Sequence, residues 1–216
     1  MSIPSELSEI WQFLDSQVVW LHGRWIVYRQ IYGTNPKRID LINEAAPTFF
    51  WMIEQTLMND VQLTLVKLAD PSETCGRENL TLETLVIEVE KVTSDGLPNA
   101  LRQSLIVFRQ CCEKIKRRRH KDIAHFDLSV QLGNKAEVLP GPSRQEIELA
   151  LLELRKFMNL FLTFFQNTQK AYEKFSLQTD GNTLLFRLKE SLRYEQLQLL
   201  GTIPQEDIVQ SKYHLD

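Results

Sequence analysis

Apolar side chains recur every third or fourth residue along nearly the whole sequence, and strand-like alternation is scarce. A chain patterned this way buries stripes of helix rather than faces of sheet, which predicts an all-α fold. The expected architecture is a helical bundle of four long helices plus shorter ones. Leu7, Ile10, Trp11, Leu14, Val18, Leu21, Trp25 and Tyr28 mark one face of a helix from about Ser5 to Tyr32, and Gly33 to Pro36 breaks it. A second helix runs from about Arg38 to Leu68, where Pro47 demands a kink or a fresh start just before it. Asp70 to Asn79 reads as a loop and about Thr81 to Val92 as a short helix. The third long helix starts near Pro98, a favoured first-turn residue, and continues toward Ala124. Ser143 and Glu146 have the spacing of a capping box and open a fourth helix reaching about Leu177. Asp180 and Gly181 end it, and a last amphipathic segment covers Thr183 to Leu200. The expected organisation is a bundle over 1–178, then a C-terminal helix and flexible tail over 179–216, with Leu128 to Pro142 the best linker.

Composition narrows the class of function. A length of 216 residues with 43% hydrophobic content is enough to bury a real core. A net charge of -3 argues against a surface coated for nonspecific nucleic-acid binding, while leaving room for one basic site. Three cysteines, Cys111 and Cys112 adjacent, make no disulfide framework and fit a reducing compartment. The first residues lack a basic cluster followed by an apolar run, and Phe157 to Phe165 is too short to span a bilayer. The expectation is a soluble, cytoplasmic protein with no membrane partner. There is no Gly-rich phosphate loop and no Gly-x-Ser-x-Gly elbow. His120 and His125 are one position off the helical spacing that holds zinc, so neither metal nor cofactor is expected. His22 reads as structural or exposed. Trp11, Trp20, Trp25 and Trp51 have the spacing of core or dimer contacts, as do Phe157, Phe161, Phe164 and Phe165.

One segment carries chemistry. Six of the eight residues from Lys114 to Lys121 are Lys or Arg, within a chain that is acidic overall. Such a concentration suits a phosphate backbone, and equally a solvated helix end whose cations complement the dipole. Leu101, Leu105, Phe108, Cys112 and Ile115 form one helical stripe, and Arg119 falls on its continuation. An arginine aimed at a core needs a partner or a ligand. Asp60, Asp70 or a polar cleft would each satisfy it. Downstream, His125 titrates near neutrality and can move a proton to or from a hydroxyl, while arginine stabilises a phosphate gaining negative charge. RNA supplies its own nucleophile in the 2′-hydroxyl, so an Arg/His pair can cleave it without a metal. Asp127 either orients the imidazole or serves as a turn or cap residue.

Arg119, five residues, then His125, with His120 directly after the arginine and Ala124 before the histidine, resembles the signature of HEPN domains. These are helical nucleases of toxin–antitoxin, abortive-infection and CRISPR systems. Upstream, Leu65-Val66-Lys67-Leu68-Ala69-Asp70-Pro71 and Asn79-Leu80-Thr81-Leu82 resemble the loop after the second helix in the abortive-infection U-type branch. The resemblance extends over roughly Ser5 to Leu177.

It implies an endoribonuclease toxin acting as a homodimer, with Arg119 and His125 of both subunits meeting at a shared cleft. RNA would be cut to a 2′,3′-cyclic phosphate and a 5′-hydroxyl. Lys116, Arg117, Arg118 and Lys121 would hold the backbone, with His120, Asp127 and Arg118 supporting the pair, and a cognate antitoxin protein would restrain it. Arg118, with six residues between it and the histidine, also fits the signature, so the register stays open. The best-known nucleotidyltransferase antitoxin acts on a Tyr two residues after the motif histidine. Asp127 stands there, which removes that route of neutralisation. The alternative is a non-catalytic HEPN-like scaffold binding RNA or protein. A third reading is a plain helical structural protein in which Arg119 is locked to an acid.

Overall fold

The break in the second apolar pattern is resolved by proline chemistry. In the computed structural model, which describes residues 2–119 and 141–203, α2 (Pro36–Ala45) stops and α3 (Pro47–Ala69) starts afresh with one residue between them. Ala46 lies at φ −162°, ψ 72°, outside the helical region, because a residue ahead of proline is driven out of it. Before α2 come α1 (Ser5–Tyr28) and a π-helical turn, Arg29–Gly33. Asn35 caps α2 by accepting from the Lys37 amide at 2.9 Å.

Past α3, the expected loop contains a small antiparallel hairpin, β1 (Glu73–Thr74) with β2 (Arg77–Glu78). Cys75 and Gly76 turn it at φ 51° and 73°, the doubly positive pattern of a tight two-residue hairpin turn. Helix α4 (Leu82–Val92) is capped by Thr81, and α5 (Leu97–Arg118) carries Pro98 in its first turn. Helix α6 (Arg144–Gln166) follows residues 120–140, then a 3-10 turn, Tyr172–Lys174, and α7 (Gly181–Leu199). His120, Lys121, His125 and Asp127 lie outside the described residues, as do most of the expected linker and the tail beyond 203. Among the described residues the fold is all-α apart from the hairpin, and no helix is long and apolar enough to cross a membrane.

The described residues fall into two units. The larger takes in those of Met1–Trp25 and Thr56–Ser176, the smaller those of Ile26–Gln55 and Leu177–Asp216. In the larger unit the stripe Leu101, Leu105, Phe108, Cys112 and Ile115 of α5 is buried, as are Leu151, Phe157, Phe161 and Phe165 of α6. Trp11 of α1 stacks on Phe161 with ring centroids 4.3 Å apart. Trp25 is also buried and donates its Nε1–H to Glu148 at 2.7 Å. Trp20 and Trp51 are exposed, so the tryptophan pattern divides between core and surface. In the smaller unit Tyr32 donates to the Phe50 carbonyl at 2.8 Å, and Gln30 bonds both the Asp180 carboxylate and the Gly181 amide. A Cβ on Gly181 would lie 3.0 Å from Ile31, which explains a glycine at the first position of α7.

Helix α6 ends at Gln166, short of the expected Leu177. Asn167 takes the left-handed conformation at φ 49°, which asparagine tolerates better than most residues. Asn159 then binds the returning chain through the Lys170 amide and carbonyl, at 2.8 and 3.2 Å. At its other end α6 has the predicted box: Glu146 N–H donates to Ser143 Oγ at 3.2 Å, and Ser143 N–H donates to Glu146 at 2.6 Å. Ser143→Ala is expected to lower stability by about 1 kcal/mol, read as a shift in urea midpoint at constant slope.

Candidate functional site

Helix α5 delivers its basic end by simple periodicity. Ile115 is fully buried, and one turn later Arg119, still in helical dihedrals, points off the same stripe with its side chain 19% exposed. Its Nη1 donates to Asp70 Oδ2 at 2.7 Å. Of the two acids in reach by sequence, Asp60 is instead paired with Arg24. Asp70 is the first residue past α3, so the end of one helix meets the end of another.

The Asp70 loop is fixed from behind by a residue the sequence did not single out. Arg109, ten positions before Arg119 on α5, donates from Nε to the Ala69 carbonyl at 2.8 Å and from Nη2 to the Asp70 carbonyl at 3.2 Å. A cation at these last carbonyls complements the α3 dipole. The Arg109 Nη1 reaches Glu83 of α4 at 3.1 Å, and Glu83 accepts the Ser72 amide at 2.8 Å. The Arg109 hydrogen bond holds the Glu83 carboxyl below its ordinary range, against the opposing effect of burial. No motif signals Arg109, since a solvated helix arginine has the same sequence context.

The other basic residues are placed differently from one another. Lys114 spans to Glu146 at 2.9 Å, tying α5 to the start of α6. Lys116 is half-buried and Arg117 exposed, and both line a shallow cleft of about 510 Å³ with Glu113 and Lys114. Arg118 is half-buried against Gly141, where a Cβ would come within 2.5 Å of its Nη1. The two arginines that fit the motif therefore face different neighbours, Arg118 a glycine backbone and Arg119 a carboxylate. His120, Lys121, His125 and Asp127 fall outside the described residues.

Elsewhere, His22 is structural. It is buried in the larger unit, with Nδ1–H donating to the Val18 carbonyl at 2.8 Å and Nε2 facing Arg155 Nη1 at 3.3 Å. Burial, with help from Arg155, depresses its pKa to about 4, so it sits neutral near neutral pH. Burial pushes the Cys112 thiol up to about 12, as befits a core group, and raises that of Cys111, which is half-buried.

No curated protein matches the sequence significantly, and no solved structure does. Residues 4–183 match the family described as AbiU2, a group of HEPN domains. With that match over most of its length and an all-helical fold, the chain belongs to the AbiU2 family, the abortive-infection U-type branch of the HEPN superfamily.

Proposed function

We propose that this chain is a metal-independent endoribonuclease toxin of a toxin–antitoxin or antiphage defence system, working as a homodimer. In this reading His125 of one subunit takes the proton from an RNA 2′-hydroxyl as its oxygen attacks the adjacent phosphorus. Arg119 stabilises the negative charge that gathers on the phosphoryl oxygens. The bond to the 5′-oxygen breaks, and that oxygen leaves with a proton from the second subunit's imidazolium. The products are a 2′,3′-cyclic phosphate and a 5′-hydroxyl. Lys116, Arg117, Arg118 and Lys121 hold the flanking phosphates, and an antitoxin protein restrains the dimer.

The observation that supports this reading most is the setting of Arg119. A guanidinium three-quarters or more buried, aimed by a carboxylate and adjoined by three further cations at one helix end, is suited to an anionic transition state. The same ion pair favours a second reading, a non-catalytic scaffold that binds RNA or protein, since a structural arginine is also held by an acid.

The experiment that separates them is incubation of the purified protein with a mixed RNA pool in EDTA, with end-group analysis and a solution mass. Cleavage by a dimer, leaving cyclic-phosphate ends, is the expected result. RNA retained but uncut, or a strict monomer at micromolar concentration, would remove the shared-cleft mechanism and favour the scaffold.

A further inference from the structure

The ion pair at the end of α5 does more than satisfy a buried charge. An arginine side chain is long, and ordering it for a transition state carries an entropic cost that a fixed partner removes in advance. Asp70 is such a partner, because its own position is determined from two sides. Arg109 binds the carbonyls of Ala69 and Asp70, Glu83 binds both Arg109 and the Ser72 amide, and Pro71 between them has a fixed φ. The carboxylate that meets Arg119 at 2.7 Å thus stands on a loop anchored to α4 and α5 together.

We infer that Asp70 is a positioning residue for RNA cleavage, holding the Arg119 guanidinium in its working orientation at the expense of some of its attraction for phosphate. This rests on the ribonuclease reading above. The charge of Asp70 gives this role a distinctive signature. A carboxylate beside the guanidinium lowers the local positive potential, so an RNA phosphate arriving there meets a partly neutralised cation. Removing the negative charge frees the cation for RNA while loosening its aim. Binding and turnover are then expected to move in opposite directions. Ordinary loss of folded protein would lower the rate and leave KM where it was.

The test compares wild type, Asp70→Asn, Asp70→Glu and Arg119→Ala on one single-stranded RNA in EDTA, measuring kcat, KM and the salt dependence of binding. For Asp70→Asn the expected result is a kcat about tenfold lower, a KM several-fold lower, and a log–log salt slope steeper by up to about 0.7, one added phosphate contact on a single strand. Asp70→Glu retains the charge on a longer stem, so its slope is expected to match wild type while kcat falls. It also carries the test should Asp70→Asn fail to fold. Wild-type kcat and KM in both Asp70 variants, beside an inactive Arg119→Ala, would overturn the role of Asp70 and leave the ribonuclease reading standing. Full cleavage by Arg119→Ala would overturn this inference and leave the ribonuclease reading to Arg118, whereas absence of cleavage by wild type would sink that reading and this inference with it.

Discussion

Arg119→Ala is expected to lower the rate of RNA cleavage at least about a hundredfold, in line with removing one preorganised donor from a developing oxyanion. The fold is expected to survive. The Arg119–Asp70 pair is about one-fifth exposed on both sides, so its removal leaves Asp70 able to reach water. A stability loss of about 1–2 kcal/mol is the expected scale, between an exposed pair and a buried one. The two effects separate cleanly in a single-turnover assay in EDTA with protein in excess, alongside a urea unfolding curve. Arg119→Lys tests the geometry: it keeps the charge and loses the planar fork, so RNA binding should return while the rate does not. His125→Ala should fall as far as Arg119→Ala. Arg118→Ala settles the register, because a phosphate-holding arginine changes binding several-fold and its salt slope, whereas the motif arginine changes the rate. A hundredfold rate loss in Arg118→Ala with Arg119→Ala near wild type would assign the chemistry to Arg118.

Much of the helix scaffold was legible because helical burial has a period that side-chain chemistry writes directly into sequence. Every residue of the Leu101–Ile115 stripe is buried, and Pro98, Ser143 and Pro47 each mark a helix start near its place. The end of α6 was not legible. Residues 166–170 are all polar, but Tyr172, seven positions past Phe165, falls on the same helical face and is buried, while the chain has already turned at Asn167. What stops the helix is a left-handed asparagine and a side-chain bridge from Asn159, and neither leaves a periodic trace. The hairpin around Cys75 and Gly76 escaped for a different reason. Strands of two residues are too short to show alternation, so only the turn residues were visible.

For the candidate site, the need was legible and the partner was not. An apolar stripe running into Arg119 means that the arginine requires an acid, a ligand or a polar cleft, and sequence spacing alone left Asp60 and Asp70 equivalent. Three-dimensional packing decides between them by giving Asp60 to Arg24. Arg109 illustrates the harder case. Its value comes from the carbonyls of residues 69 and 70, and backbone acceptors at a helix terminus carry no side-chain identity for a sequence reading to find.

His22 makes the larger unit acid-sensitive, and the sign follows from its depressed pKa. The folded state holds the imidazole neutral down to about pH 4, whereas in the unfolded chain it takes a proton near 6.5. Above pH 6.5 neither state binds the proton and stability is at its full value. Between 6.5 and about 4 only the unfolded state does, so stability falls as the pH falls, by about 3 kcal/mol in all from this group. Below about 4 both states bind it and this contribution to the slope ends. The structural cause is specific: Nε2 accepts from Arg155 at 3.3 Å, and a protonated ring would present a second positive charge to that guanidinium in a place closed to water. Urea unfolding between pH 7.5 and 4 should show this loss in wild type and a flatter curve in His22→Gln, whose amide does not titrate. Carboxylates such as Glu83 and Glu146, held low by Arg109 and Lys114, are the same in both proteins, so their contribution cancels in the difference. The variant's lower absolute stability is immaterial, because the readout is the slope. Parallel curves for wild type and variant would mean that His22 accepts its proton inside the fold, and that Arg155 and Glu173 rearrange to receive it.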